Sequence, residues 1–163
     1  YDRLIMTSVQ GTKPAVSNEE LNMIYNACDV GINTSSAEGW GLVSFEHAAA
    51  GAAQIVPDHT GCSELWKNHA EMLNPALSVT DMELQREYYL ISPKTVAESM
   101  ERFYSDRKYL RQMSLAAFEN TKRAEYNWKI ISSKWRNIFL EEAGKIISNA
   151  DRTEKSNLNP AFH

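Results

Sequence analysis

The sequence predicts an α/β fold built on a parallel sheet. Three observations predict it. Short apolar segments alternate with helical segments through residues 4–75, and such alternation implies right-handed crossovers between parallel strands. The strand candidates are apolar runs, as in Leu4-Ile5-Met6-Thr7-Ser8-Val9 and Gln54-Ile55-Val56, which suits strands covered on both faces. The junctions between them carry helix caps and glycines, the residue types that start and stop helices.

The elements follow in order. Leu4–Val9 is the first strand candidate, and a loop with Gly11 and Pro14 follows. Ser17 opens a helix, and Glu20 three residues on completes a capping box. Leu21, Ile24 and Tyr25 form its apolar stripe, and Cys28 at its end reads as core. Asp29–Asn33 is a short strand. A loop from Thr34 to Trp40 leads into a small-residue helix that ends at Ala50, with Gly51 placed to terminate it. Gln54–Val56 is a strand, Asp58–Gly61 a polar turn, and Ser63–Trp66 a short helical piece. Met72-Leu73 and Tyr88–Ile91 are weaker strand candidates, and the pattern assigns no element to residues 76–86. Pro93 suits the first turn of a helix running to about Tyr104, Asp106 caps another to about Lys122, and Trp128–Ala143 is a third. Trp128, Ile131, Trp135 and Phe139 form a stripe whose plain reading is core, with an interdomain face as the alternative for part of it. Residues 148–163 are polar and read as a frayed tail.

Composition narrows the function. At 163 residues the chain is one domain by default, with 43% apolar residues, 23% charged residues and a formal net charge of -4. The mild acidity argues against a nucleic-acid binder. No run has the length of a membrane span, and no signal-peptide pattern opens the chain. Cys28 and Cys62 make no disulfide framework, and reduced thiols point to a cytoplasmic location. The chain opens on Tyr1 in a strand-like segment, so the expectation is a piece of a larger protein.

The chemistry concentrates between Ser35 and Gly51. Ligands of open parallel sheets sit at the carboxyl ends of strands, where helices begin. Glycines at 39 and 41 let the backbone approach a ligand closely, and the first amides of the following helix, at Gly41, Leu42 and Val43, point outward with the positive end of its dipole. A pyrophosphate suits that place. Glu46, about one turn further in, can accept both hydroxyls of a ribose, and Glu38 before the amides can hold hydroxyls of whatever the diphosphate carries. A nucleoside diphosphate sugar has a diol at each end. Acidic residues near helix N-termini are also common for dipole reasons alone. Neither GxGxxG nor a P-loop is present, which disfavours a dinucleotide-dependent oxidoreductase.

The run Glu38-Gly39-Trp40-Gly41-Leu42-Val43-Ser44-Phe45-Glu46, followed by His47-Ala48-Ala49-Ala50-Gly51, resembles the paired-glutamate motif of the large retaining glycosyltransferase family called group 1 or family 4. Upstream, Glu20–Val30 is similar to that family's helix and strand. Downstream, Gly61-Cys62-Ser63-Glu64-Leu65 is similar to its glycine turn, and Tyr126-Asn127-Trp128 to the opening of its C-terminal helix. The resemblance runs from the first strand to about residue 143. It implies a GT-B glycosyltransferase with two Rossmann-like domains, of which this chain is the C-terminal half. Its parallel sheet would carry helices on both faces, with residues 1–147 as the donor-binding domain and 148–163 as the tail.

By the same resemblance, Glu38 is the catalytic-site carboxylate that contacts the donor sugar, and Glu46 contacts the ribose. Gly39, Trp40, Gly41, Leu42 and Val43 meet the sugar and phosphates, Val9 and Gln10 lie near the base, and His59 is within reach of the donor. No cofactor and no metal are implied, and anomeric configuration is retained. The implied partners are a nucleotide-sugar donor and an acceptor-binding N-terminal domain outside this chain, which would precede it together with the Arg and Lys that neutralise the diphosphate. Ala53 stands where the family has proline, Asp58-His59-Thr60 where it has a small-residue turn, and His47 where it has alanine. His47 reads as a structural helix residue, and Trp40 as a packing residue of the loop. The expected function is transfer of a hexose from a nucleoside diphosphate sugar. The alternative is a non-catalytic module of the same fold that binds nucleotide sugars or pairs with a partner.

Overall fold

The structure, a computed structural model, describes residues 16–157. The strand candidate Leu4–Val9 and the site candidates Val9 and Gln10 lie outside the described residues. The chain divides into two compact units, Tyr1–Thr121 and Lys122–His163.

The first unit alternates as expected: α1 (Asn18–Asn26), β1 (Val30–Ile32), α2 (Leu42–Ala49), β2 (Ala53–Pro57), α3 (Thr60–Trp66) and β3 (Glu71–Leu73). The three strands form a parallel sheet in the order β1-β2-β3, with Gly31 beside Gln54 and Val56 beside Met72. β2 is buried at all five positions, as a strand covered on both faces must be. Alternation along β2 sends Ala53 and Ile55 to one face and Gln54 and Val56 to the other. Ala53 and Ile55 join Leu73, Phe103, Leu110 and Met113 in the apolar core. Phe103 comes from α4 (Pro93–Ser105), and Leu110 and Met113 from α5 (Arg107–Thr121).

The capping chemistry read from the sequence is present. Ser17 Oγ accepts the Glu20 N–H at 3.2 Å, and the Glu20 carboxylate accepts the Ser17 N–H at 2.8 Å. Gly51 has φ 97° directly after the last residue of the α2 cap, a conformation that glycine adopts without strain. Asp106 Oδ1 accepts from the amides of Lys108 and Tyr109 and so caps α5.

His47 splices α2 to the end of α1. It is buried, and its Nε2 donates to the carbonyls of Tyr25 and Cys28, both at 3.1 Å. Tyr25 lies in the last turn of α1 and Cys28 just past its C-cap, so the imidazole ties α2 to the end of that helix. The ring also stacks on Tyr25 at 5.2 Å. The structural reading of His47 therefore holds, while Cys28 is exposed and not core: it contributes its carbonyl to this splice.

Residues 76–86, which the sequence pattern leaves without an element, belong to an antiparallel hairpin of β4 (Leu77–Asp81) and β5 (Arg86–Leu90). Asp81 Oδ1 accepts from the amides of Glu83 and Leu84 to form its turn. A polar knot that the sequence did not announce ties β3 to α4 and α5. Arg102 pairs with Glu71 at 3.2 Å, the Tyr109 hydroxyl donates to the same carboxylate, and the Arg102 guanidinium lies 3.7 Å from the Tyr109 ring centre. Burial, together with the Glu71 carboxylate, pushes the Tyr109 hydroxyl up to about 12.

In the second unit a 3-10 turn (Ala124–Tyr126) precedes α6 (Trp128–Asn157), whose start Asn127 caps by accepting the Lys129 N–H at 2.9 Å. The helix continues well past Ala143, so residues 148–157 are helical where a frayed tail was expected. Trp128, Trp135 and Phe139 are exposed, at 80%, 55% and 64%, which corrects the core reading of that stripe. Among the described residues no helix is long and apolar enough to cross a membrane.

Gly31 is the tightest point of the splice. A Cβ there would lie 2.7 Å from His47 Nδ1 and nearer still to the buried Gln54 amide. We predict that Gly31→Ala destabilises the chain by about 1–3 kcal/mol through overpacking. Urea unfolding would show a lower midpoint at unchanged slope.

Candidate functional site

The site is built where β1 ends. Asn33 extends the sheet by donating its N–H to Ile55 O at 2.9 Å, and its Oδ1 accepts the Ser35 N–H at 2.8 Å. This side-chain turn bends the chain out of the strand. The loop then runs to Gly41, which has φ 80° at the N-cap of α2. A Cβ at Gly41 would touch Glu38 Cγ at 3.4 Å and the Asn33 amide at 3.6 Å. These are ordinary contacts, so it is the left-handed conformation that calls for glycine here. Gly39 has open space around it and is under no such demand.

The loop and the first turn of α2 enclose a cleft of about 520 Å³, lined by Ile32, Asn33, Thr34, Glu38, Trp40, Gly41, Leu42, Val43 and Ser44. The N-cap residue Gly41 has no side chain with which to cap α2. Among the described residues the amides of its first turn are thus available at the positive end of the helix dipole. The Glu38 carboxylate lines the same cleft and is half-buried. Trp40 packs against Phe45 at 5.4 Å, and Phe45 against Trp66 at 5.9 Å, so the loop aromatic is anchored on the helix behind it. That matches its expected packing role.

The Glu38 backbone is fixed by the first two residues of α3. Its carbonyl accepts the Gly61 N–H at 2.9 Å, and its N–H donates to Thr60 Oγ1 at 3.1 Å. Gly61 lies against the backbone of Glu38 and Gly39 with no room for a Cβ. Thr60 has φ 47°. For a β-branched residue this is a strained conformation, which persists only where its surroundings hold it. Cys62, next in the chain, is buried. Burial first and the Glu38 charge second push its thiol up to about 11, so it is an inert packing group.

Glu46 lies outside the cleft walls, on the exposed side of α2. It accepts a hydrogen bond from the Tyr25 hydroxyl at 3.0 Å. Burial, then this carboxylate, raises the Tyr25 hydroxyl above its ordinary value. His59 is not a cleft wall either. Its ring is buried, stacks on Tyr89 at 4.6 Å and places Nδ1 3.2 Å from Thr60 Oγ1. Its Nε2 is buried and, among the described residues, has no hydrogen-bond partner.

Of the ten residues the sequence singled out, the structure brings Glu38, Trp40, Gly41, Leu42 and Val43 into one cleft. Gly39 sits in the loop between them, Glu46 stands one turn inward, and His59 braces the loop from behind. Val9 and Gln10 lie outside the described residues. Ile32, Asn33, Thr34 and Ser44 also line the cleft and were not singled out. Asn33 could have been, since an Asn directly after a strand is a turn signal.

A family model described as glycosyl transferase-like matches residues 2–135. No curated protein sequence matches the chain. Among solved structures, sucrose-phosphate synthase from Thermosynechococcus elongatus shares the fold, with a TM-score of 0.62 at 19% identity, covering 80% of this chain and 29% of that one. The chain thus spans less than a third of that protein's length.

Burial lowers the His59 pKa; the Ser35 backbone and the Asp58 carboxylate oppose the shift without cancelling it. As pH falls through the ordinary histidine value of about 6.5, the unfolded chain gains a proton that the folded chain resists. Stability should therefore be complete above that pH and decline below it, until the lower folded pKa is passed. Melting temperatures between pH 7.5 and 5 should fall more steeply for the wild type than for His59→Gln; coincident slopes would contradict the assignment.

Proposed function

The chain belongs to the glycosyl transferase-like family, and from that premise we propose that it is the donor-binding domain of a retaining hexosyltransferase that uses a nucleoside diphosphate sugar. The observation that carries this reading is one cleft that combines a half-buried carboxylate, Glu38, with the uncapped first turn of α2. The amides of Leu42 and Val43 are donors matched to diphosphate oxygens, favoured further by the helix dipole. The Glu38 carboxylate accepts from donor-sugar hydroxyls and lies close to the bond that breaks. Among the described residues Glu46 Oε2 accepts from Tyr25 and Oε1 has no hydrogen-bond partner, which leaves lone pairs for a ribose diol.

Transfer separates charge: the diphosphate leaves with added negative charge while the sugar carbon becomes cationic. Fixed amides at the phosphates stabilise the first change, and a carboxylate beside the sugar stabilises the second. The proposal includes retention of configuration, no requirement for a metal or cofactor, and an acceptor-binding domain outside this chain. The second reading, a non-catalytic nucleotide-sugar-binding or partner-pairing module, draws on one observation. Among the described residues no cation lines the cleft, and cations commonly supply much of the leaving-group stabilisation in phosphate chemistry.

Calorimetry on single variants tests the assignment of roles. Glu46→Ala should weaken a nucleoside diphosphate and its sugar conjugate alike, by roughly tenfold or more for a lost charge-assisted hydrogen bond. Glu38→Ala should weaken the sugar conjugate by a comparable factor and leave the free diphosphate nearly unchanged. Equal losses for both ligands in both variants would refute the order of sugar, diphosphate and ribose along the cleft.

A further inference from the structure

β3 runs parallel to β1 through β2, so the C-terminal ends of all three strands share the sheet edge at which the cleft opens. The β4–β5 hairpin leaves the sheet from that edge, and among the described residues its strands pair only with each other. Two contacts join it to the cleft wall. The Tyr89 N–H donates to Ser36 O at 2.9 Å. The Tyr89 ring stacks on His59, with centres 4.6 Å apart and planes inclined by 16°. His59 in turn meets Thr60 Oγ1, the acceptor for the Glu38 N–H.

Tyr89 therefore holds the Ser36–Glu38 segment at both ends: directly through Ser36, and through His59 and Thr60 at Glu38. The strained Thr60 backbone is the middle of that second path. The Tyr89 hydroxyl is engaged elsewhere, donating to Glu87 on the same strand at 2.7 Å. The ring face, not the hydroxyl, is what bears on the site. Nothing in this chain of contacts touches the first turn of α2, where the diphosphate would lie.

We propose that Tyr89 is a positioning residue for Glu38, and that the hairpin thereby sets the preference of the cleft for a sugar-bearing nucleotide over the free nucleotide. This rests on the donor-site reading given above. The hairpin acts on the sugar end of the cleft only, by fixing where the Glu38 backbone, and with it the carboxylate, sits.

Titration calorimetry of the full chain with UDP, GDP and ADP, and with their glucose conjugates, tests this. In Tyr89→Ala the sugar conjugate that binds the wild type should weaken by about three- to tenfold, the range of an aromatic stack, while the matching free diphosphate changes by less than about twofold. Tyr89→Phe keeps the ring face and should bind both as the wild type does. Should Tyr89→Ala fail to fold, Tyr89→Leu, which fills the volume without a flat face, should show the same selective loss. Equal weakening of both ligands, or no weakening of either, overturns the inference and leaves the donor site standing. A wild-type chain that binds none of the six compounds overturns the donor-site reading, and the role of Tyr89 with it.

Discussion

The site depends on one close backbone approach. Gly61 presses against the main chain of Glu38 and Gly39, donates its N–H to Glu38 O, and leaves no space for a side chain. Without that approach the loop after β1 would lose its closest main-chain tether to α3, and the Glu38 carboxylate would be held less firmly relative to the α2 amides. Thr60 completes the grip by accepting the Glu38 N–H at 3.1 Å, in a backbone conformation strained for a β-branched residue. Strain of this kind persists where surrounding structure over-determines it. Here the surroundings are His59, Tyr89 and the Glu38 backbone itself.

The sheet positions this junction. Three parallel strands bring the ends of β1 and β2 to one edge, so the loop after one strand and the turn after the next become neighbours. His47 fixes the other side of α2 by binding one carbonyl in the last turn of α1 and one just past its end. The helix that presents its amides to the cleft is thereby held at both ends, by Gly41 at its start and by His47 near its last turn. A helix N-terminus held this rigidly loses little entropy when an anion arrives.

Much of this was legible in the residues. The capping box at Ser17 and Glu20, the terminating Gly51, the helix start at Pro93 and the cap at Asp106 are local signals, and local chemistry determined each of them. The buried run of β2 was equally plain. The β4–β5 hairpin was legible only in part: Tyr88–Ile91 read as a weak strand candidate, whereas the alternation in Leu77-Ser78-Val79-Thr80 is too short to stand out, and an exposed two-stranded ribbon owes its stability to its turn and to what it packs on. The Glu71–Arg102–Tyr109 knot joins residues far apart in the chain, and no spacing rule reports such a contact. The cleft divides the same way: Glu38, Trp40, Gly41, Leu42 and Val43 were found through a contiguous motif, whereas the bracing role of His59 depends on Tyr89, which only the fold brings near. Residues such as Trp128 and Phe139 show the converse error, since a helical apolar stripe gives a face but not what covers it.

The central claim is that the first turn of α2 receives the diphosphate of the donor. Amide NMR spectra of the labelled chain, titrated with UDP, GDP and ADP, test it most directly. The account predicts that with the nucleotide that binds, the largest amide shifts fall on Leu42, Val43 and Ser44, with smaller changes at Glu38. Saturable binding whose largest shifts lie away from the α2 N-terminus, for instance along α6, would contradict it.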